Sequence, residues 1–241
     1  MSMDDFDQFA GLVLCVAAHP EDIEIHAGGT ISRLVATGIQ VSYILCTSGN
    51  RGTSEKKVTM KEIGALREAE QRRSADILGV TDITFLRHDD GDLQYVGRML
   101  RAEIVQLIRQ KRPRTIITHD PFPGNGSQDS CAIYPDHLTV GMITFEAAFV
   151  AAPSPLFHPG QLVEGVQPHK PDSLYFIMSQ RPDTFVEIGK NWETKMTAVH
   201  AYESQGRHLS DVEPFFRRIA EQLGSKAGLS MVEGFRRLLS T

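Results

Sequence analysis

The stretch LVLCVAAHPEDIEIHAGGT, residues 12–30, decides how the rest of the chain is read. Leu12 to Ala18 form an uninterrupted apolar run, too short for a membrane span and typical of a strand buried on both faces. His19, Pro20, Glu21 and Asp22 follow immediately. Charged groups are costly to desolvate without partners. A cluster of them where a buried strand runs out calls either for a metal ion or for solvent at the mouth of a cleft.

The remaining apolar runs repeat the first. VSYILCT (41–47), ITFL (83–86), TIITH (115–119) and SLYFIM (173–178) read as strands. Helical periodicity is expected over 28–38, 61–79, 97–113 and 137–152, and again in ETKMTAVHAYESQ (193–205) and VEPFFRRIAEQLG (212–224). Strand alternating with helix predicts an α/β fold: a Rossmann-like three-layer α/β/α arrangement with a mostly parallel sheet. In such sheets function gathers beyond the carboxyl ends of the strands. Four polar clusters fall there: His19 to Asp22, SGNRGT (48–53), HDDG (88–91), and His119 with Asp120. The segment 152–172 carries five prolines and no periodicity. It is read either as a lid or recognition loop, or as a surface excursion.

Bulk properties exclude several classes. The chain has 241 residues and a formal net charge of −5, so nothing draws it generally to nucleic acid or anionic membrane. MSMDDFDQFA lacks the basic-then-apolar order of a secretory signal. Cys15, Cys46 and Cys131 are scattered and form no CxxC pair, which argues against disulfides and thiolate metal sites. The expectation is a cytoplasmic protein of one domain, residues 1–241, with no nucleic-acid partner and no membrane span. GxGxxG and GxxxxGK are both absent, so dinucleotide and P-loop sites are unsupported.

A borderline divalent ion takes imidazole nitrogen and carboxylate oxygen. His19 and Asp22 offer two such ligands from one turn, and His137, in YPDHLTVG, is the best candidate for a third. A lone histidine near a strand end also serves as a hydrogen-bonded structural residue, so spacing by itself leaves both readings open.

At this point the chain resembles the PIG-L/LmbE-like family of zinc-dependent de-N-acetylases, which includes the N-acetylglucosaminyl-phosphatidylinositol, mycothiol and bacillithiol pathway deacetylases. HPEDIEIHAGGT resembles the family's HPDD…GGT motif, and THDP with YPDHLTVG resembles its THDP…HPDH segment. SGNRGT, LREAEQRRSADILGV, DDGDL and KMTAVHAYESQ resemble four further motifs in the same order. The resemblance implies a Zn2+ ion, or another divalent metal, held by His19, Asp22 and His137. It implies Glu21 as general base, and catalytic roles at Tyr134 and Asp136. The substrate it implies is a small N-acyl amino sugar or related amide, and family members are often homo-oligomers. Arg51, His119 and His200 are candidate substrate contacts. Arg67 and Glu70, one turn apart, are expected to pair with each other.

Two of the matched positions depart from the family. Glu21 replaces an aspartate, and Tyr134 replaces the first histidine of HPDH. Glutamate keeps the carboxylate one methylene further out. Tyrosine, with a phenol pKa of about 10, gives no cation at neutral pH. It either donates a hydrogen bond to an oxyanion or only packs its ring. Asp136, without a histidine two residues before it, is left to hold a ring nitrogen of His19 or His137. The rival to a hydrolase is therefore a catalytically silent relative that binds metal and a sugar-like ligand.

Overall fold

A computed structural model describes residues 4–122, 134–205 and 213–240 of the chain. Cys131 lies outside the described residues, as do the first residues of the expected helix 212–224. Seven strands form one sheet in the order β3-β2-β1-β4-β5-β7-β6. They are β1 (Val13–Ala17), β2 (Val41–Thr47), β3 (Asp82–His88), β4 (Thr115–His119), β5 (Ser173–Ile177), β6 (Thr184–Glu187) and β7 (Val232–Leu239). The first five run parallel; β7 is antiparallel to both β5 and β6.

Burial explains why the central strands read as unbroken apolar runs. In β1, Val13, Cys15 and Ala17 face one layer, while Leu14 and Val16 face the other. The first layer holds α1 (Asp22–Ala36), α2 (Met60–Ile77), α5 (Trp192–His200) and α6 (Glu213–Ala227). The second holds α3 (Gly97–Lys111) and α4 (Pro135–Glu146), which continues through a π-helical turn, Ala147–Ala151. No face of β1 is left for polar side chains, and its polar residues accumulate at the end.

Helix α1 begins at Asp22, six residues before its expected start. Asp22 and Glu24 occupy its first turn, where the positive end of the helix dipole favours acids. Gly28 and Gly29 fall inside the helix and serve packing. A Cβ on Gly29 would lie 2.8 Å from Ile188, and one on Gly28 3.2 Å from Lys195. Strands β6 and β7 escape the sequence reading. Glu233 and Arg236 interrupt the apolar pattern of β7, yet both find partners: Lys195 with the Gly29 and Thr30 amides for Glu233, and Asp120 for Arg236.

Segment 152–172 is pinned to α3 and lies toward the amino ends of the strands, away from His19. Arg109, only 1% exposed, donates to the carbonyls of Ala151, Ala152, Ser154 and Phe157 and to Gln161. The Asp172 amide bonds the Arg114 carbonyl, just before β4. These contacts make it a surface excursion and not a lid. No helix among the described residues is long and apolar enough to cross a membrane. Replacing Arg109 by Met strands several buried carbonyls and should cost roughly 2–4 kcal/mol. Thermal unfolding and limited proteolysis check this: the midpoint falls and early cleavage moves to residues 152–161. An unchanged cleavage pattern would remove Arg109's role as the clamp.

Candidate metal and catalytic site

The strand order reverses between β1 and β4, which opens a crevice at their carboxyl ends. His19 leaves β1 into this crevice. Its amide donates to Asp22 Oδ2 at 2.8 Å, which fixes the HPED turn. Glu21 takes the left-handed conformation, φ 78°, costly for a residue with a Cβ. The turn is tight enough to set His19, Glu21 and Asp22 together.

His19 is 6% exposed and uses its two ring nitrogens differently. Nε2 lies 3.1 Å from Asp90 Oδ1 and 3.2 Å from Asp136 Oδ2. Two carboxylates at one nitrogen put the ring proton there. Nδ1 faces His137 Nε2 at 3.2 Å and Asp22 Oδ2 at 3.5 Å, and His137 Nε2 is 3.3 Å from Asp22 Oδ1. Once Nε2 carries the proton, Nδ1 presents a lone pair to another imidazole and a carboxylate. Lone pairs directed at one another are stabilised by a proton or a metal ion between them.

The donor atoms of His19, Asp22 and His137 lie within 4.8 Å of one another, as do those of His19, Asp90 and Asp136. With Nε2 protonated, the second group suits a supporting role and the first is the group that could hold an ion, in the manner of carboxylate–histidine–metal arrangements. The electrostatics agree. Burial disfavours a charged His19, but Asp136, Asp22 and Asp90 outweigh it and hold its pKa well above the usual range. Burial likewise disfavours charge on Asp22, yet His137 and His119 hold its carboxyl well below the usual range. A cluster this rich in buried carboxylate is short of positive charge, which suits a divalent cation.

Asp136 is fully buried. It accepts the Gly91 amide at 2.7 Å through Oδ2 and the Leu93 amide at 3.2 Å through Oδ1. It thereby ties α4 to the turn after β3 and to His19. Glu21 pairs with Arg67, which is 2% exposed and also donates to the carbonyls of Gly49 (3.0 Å) and Pro20 (3.1 Å). A Cβ at Gly49 or Gly52 would come within 2.1 Å of this guanidinium, so the glycines of SGNRGT form its socket. Burial pushes the Glu21 acid up to about 7, against the pull of Arg67.

The expected Arg67–Glu70 pair does not form. Both residues lie on the buried side of α2, where stronger partners are available, and Glu70 accepts from the amide and hydroxyl of Ser204 at 2.7 and 2.6 Å. Tyr134 stands at the start of α4, half exposed, with its ring edge-on to His19 at 5.3 Å. The three candidate substrate contacts are committed elsewhere. Arg51 braces the turn after β3, donating to the Asp90 carbonyl (2.6 Å) and Asp92 (2.8 Å). His119 is 1% exposed beneath the pocket, with its pKa lowered by burial to about 4. His200 faces outwards toward Glu213, 3.9 Å away, while Tyr202 of the same segment turns inwards, to Glu24. Asp90, within the HDDG cluster beyond β3, is not among the candidate site residues of the sequence, yet its carboxylate lies against His19.

Residues 14–148 match the family described as GlcNAc-PI de-N-acetylase, PIG-L. The chain belongs to the PIG-L family. It is 38% identical over 229 residues to a diacetylchitobiose deacetylase of Thermococcus kodakarensis, covering 93% of this chain and 82% of the relative. A 1D-myo-inositol 2-acetamido-2-deoxy-alpha-D-glucopyranoside deacetylase of Actinosynnema mirum is 33% identical, over 61% of this chain and 58% of its own length, so the chain spans under two thirds of that relative. Among solved structures, the N,N'-diacetylchitobiose deacetylase of Pyrococcus horikoshii superposes with a TM-score of 0.89 at 30% identity, covering 98% of this chain and 86% of the other. The family read from the motifs and the α/β fold read from the alternation of strands and helices are both upheld.

Asp136→Asn removes charge from Nε2 of His19 and weakens two amide bonds. Amide exchange at Gly91 and Leu93 should speed up, and divalent-ion affinity should fall by about 10–100-fold. Unchanged exchange at both amides would deny Asp136 its bridging role.

Proposed function

We propose that this protein is a divalent-metal-dependent amidohydrolase that removes an N-acetyl group from an amino sugar, with the chain working as one domain. The observation that carries this reading is the opposition of His19 Nδ1, His137 Nε2 and the Asp22 carboxylate in one buried pocket, with Glu21 beside them. Two imidazoles and one carboxylate suit zinc. An ion held there supplies Lewis acidity and lowers the pKa of a water molecule.

The chain's own residues supply the proton handling. Glu21, with an acid near neutrality, takes a proton from water and returns it to the departing amine. Arg67 anchors the carboxylate and compensates for the additional methylene of glutamate by fixing its end. Tyr134, half exposed at the mouth, donates its hydroxyl to the oxyanion. Asp136 keeps the His19 proton on Nε2. The amide bond breaks, and acetate and a free amine leave.

The substrate class comes from the relatives. Two of them act on N-acetylated sugars by name, and the same chemistry is proposed here. A silent relative is disfavoured by the pocket, because Glu21 keeps an anchored carboxylate beside the donor set. Amine release from N-acetyl amino sugars should vanish on chelation and return with one equivalent of zinc. Glu21→Gln should keep the metal and lose about 10²–10⁴-fold in kcat. Full activity in that variant would remove Glu21 as the base. In the double variant Glu21→Asp, Tyr134→His, activity should decline on the protein's own substrate. A gain would favour the silent-relative reading.

A further inference from the structure

His119 occupies the floor of the crevice, where β1 and β4 part. Their ladder pairs Val16 with Thr118 and goes no further, so the next amide of β1, that of Ala18, has no strand partner on this side. The His119 side chain takes its place: the Ala18 amide donates to Nε2 at 3.1 Å. Nε2 thus stands at that amide, while Nδ1 is buried and without a partner. The same Nε2 edge lies 3.2 Å from Asp22 Oδ2. The ring face stacks on His137, with centroids 4.2 Å apart and planes within 8° of parallel.

A second feature brings α4 to this floor. Gly141 lies one turn after His137, on the same face of the helix. A Cβ there would sit 2.4 Å from the His119 carbonyl oxygen, a backbone atom that cannot rotate away. The missing side chain lets α4 descend until the His137 ring meets the His119 ring. A histidine that served only to accept from the Ala18 amide would leave its Nδ1 unsatisfied, at a cost of about 1–3 kcal/mol, and would have no need of a ring face laid on His137.

We infer that His119 is a positioning residue for the ion-binding set, a buried platform that seats the His137 ring by stacking and limits the Asp22 carboxylate at its edge. This rests on the reading of that pocket as a metal site. His119 touches neither substrate nor ion; it acts through His137 and Asp22. Its own nitrogen stands outside the set of three donors.

The test is a Co2+ titration of the full-length, metal-stripped protein, followed by visible absorption, with the metal-free unfolding midpoint measured alongside. His119→Gln keeps an acceptor for Ala18 and loses the ring; its Co2+ affinity should fall by about 10–100-fold, with a changed band shape. His119→Phe keeps the stacking face and should stay closer to the wild type. Gly141→Ala raises α4 without touching either ring and should also weaken Co2+ binding. A wild type that binds one Co2+, with Gln and Ala variants that fold and bind it equally well, would overturn the positioning role alone. Lowered midpoints with unchanged Co2+ affinity would do the same and leave His119 a packing residue. If the Gln protein does not fold, the Phe and Gly141→Ala proteins decide the matter on the same titration. A folded wild type that binds no Co2+ would overturn the metal-site reading, and this inference with it.

Discussion

Three buried carboxylates, those of Asp22, Asp90 and Asp136, converge on the single imidazole of His19. Buried like charges are unfavourable without compensation, and the architecture around them is arranged to supply it. Asp136 is neutralised in part by two backbone amides of the turn after β3. Asp22 accepts the His19 amide and faces His119 and His137. What remains uncompensated is concentrated on one side of His19, and that side is where a cation is called for. The loops after β1 and β3 and the start of α4 are thereby joined at one point by electrostatics more than by apolar packing.

Glycines determine how closely these parts approach. Gly49 and Gly52 leave room for the Arg67 guanidinium, which anchors Glu21. Gly141 allows α4 onto the end of β4, and Gly29 allows α1 onto Ile188. The one strained non-glycine residue in the HPED turn is Glu21, in the left-handed region. Backbone strain at this position is consistent with a residue held for its side chain's placement. The same carboxylate is lifted toward neutrality by burial and restrained by Arg67. The base role proposed for Glu21 needs both: a pKa near working pH, so that the carboxylate can take a proton and give it back, and a fixed position.

Much of this was legible beforehand. The five parallel strands, the order of the helices and the convergence of His19, Asp22 and His137 follow from apolar runs, from polar clusters at their ends and from the family motifs. Local patterning carries these because strands buried on both faces must be apolar throughout. The misses share a cause. β7 hid behind Glu233 and Arg236, whose charges are matched by Lys195 and Asp120, remote in sequence. Arg67 appeared paired with Glu70 because periodicity reveals neighbours on a helix but not the partners that tertiary packing brings. His200, a candidate by residue type, faces solvent, whereas Tyr202 of the same segment reaches the buried Glu24.

By itself the sequence determined the α/β class, the strand ends where polar chemistry collects and the family of the chain. These depend on residue type and order along the chain. Only the tertiary structure decided which nitrogen of His19 carries its proton, that Arg67 answers Glu21, and that His119 lies under the pocket and not in it. Each of those is a contact between segments separated by tens of residues. Its sign and geometry are set by which side chains the crossing of strands and helices presses into the same few ångströms.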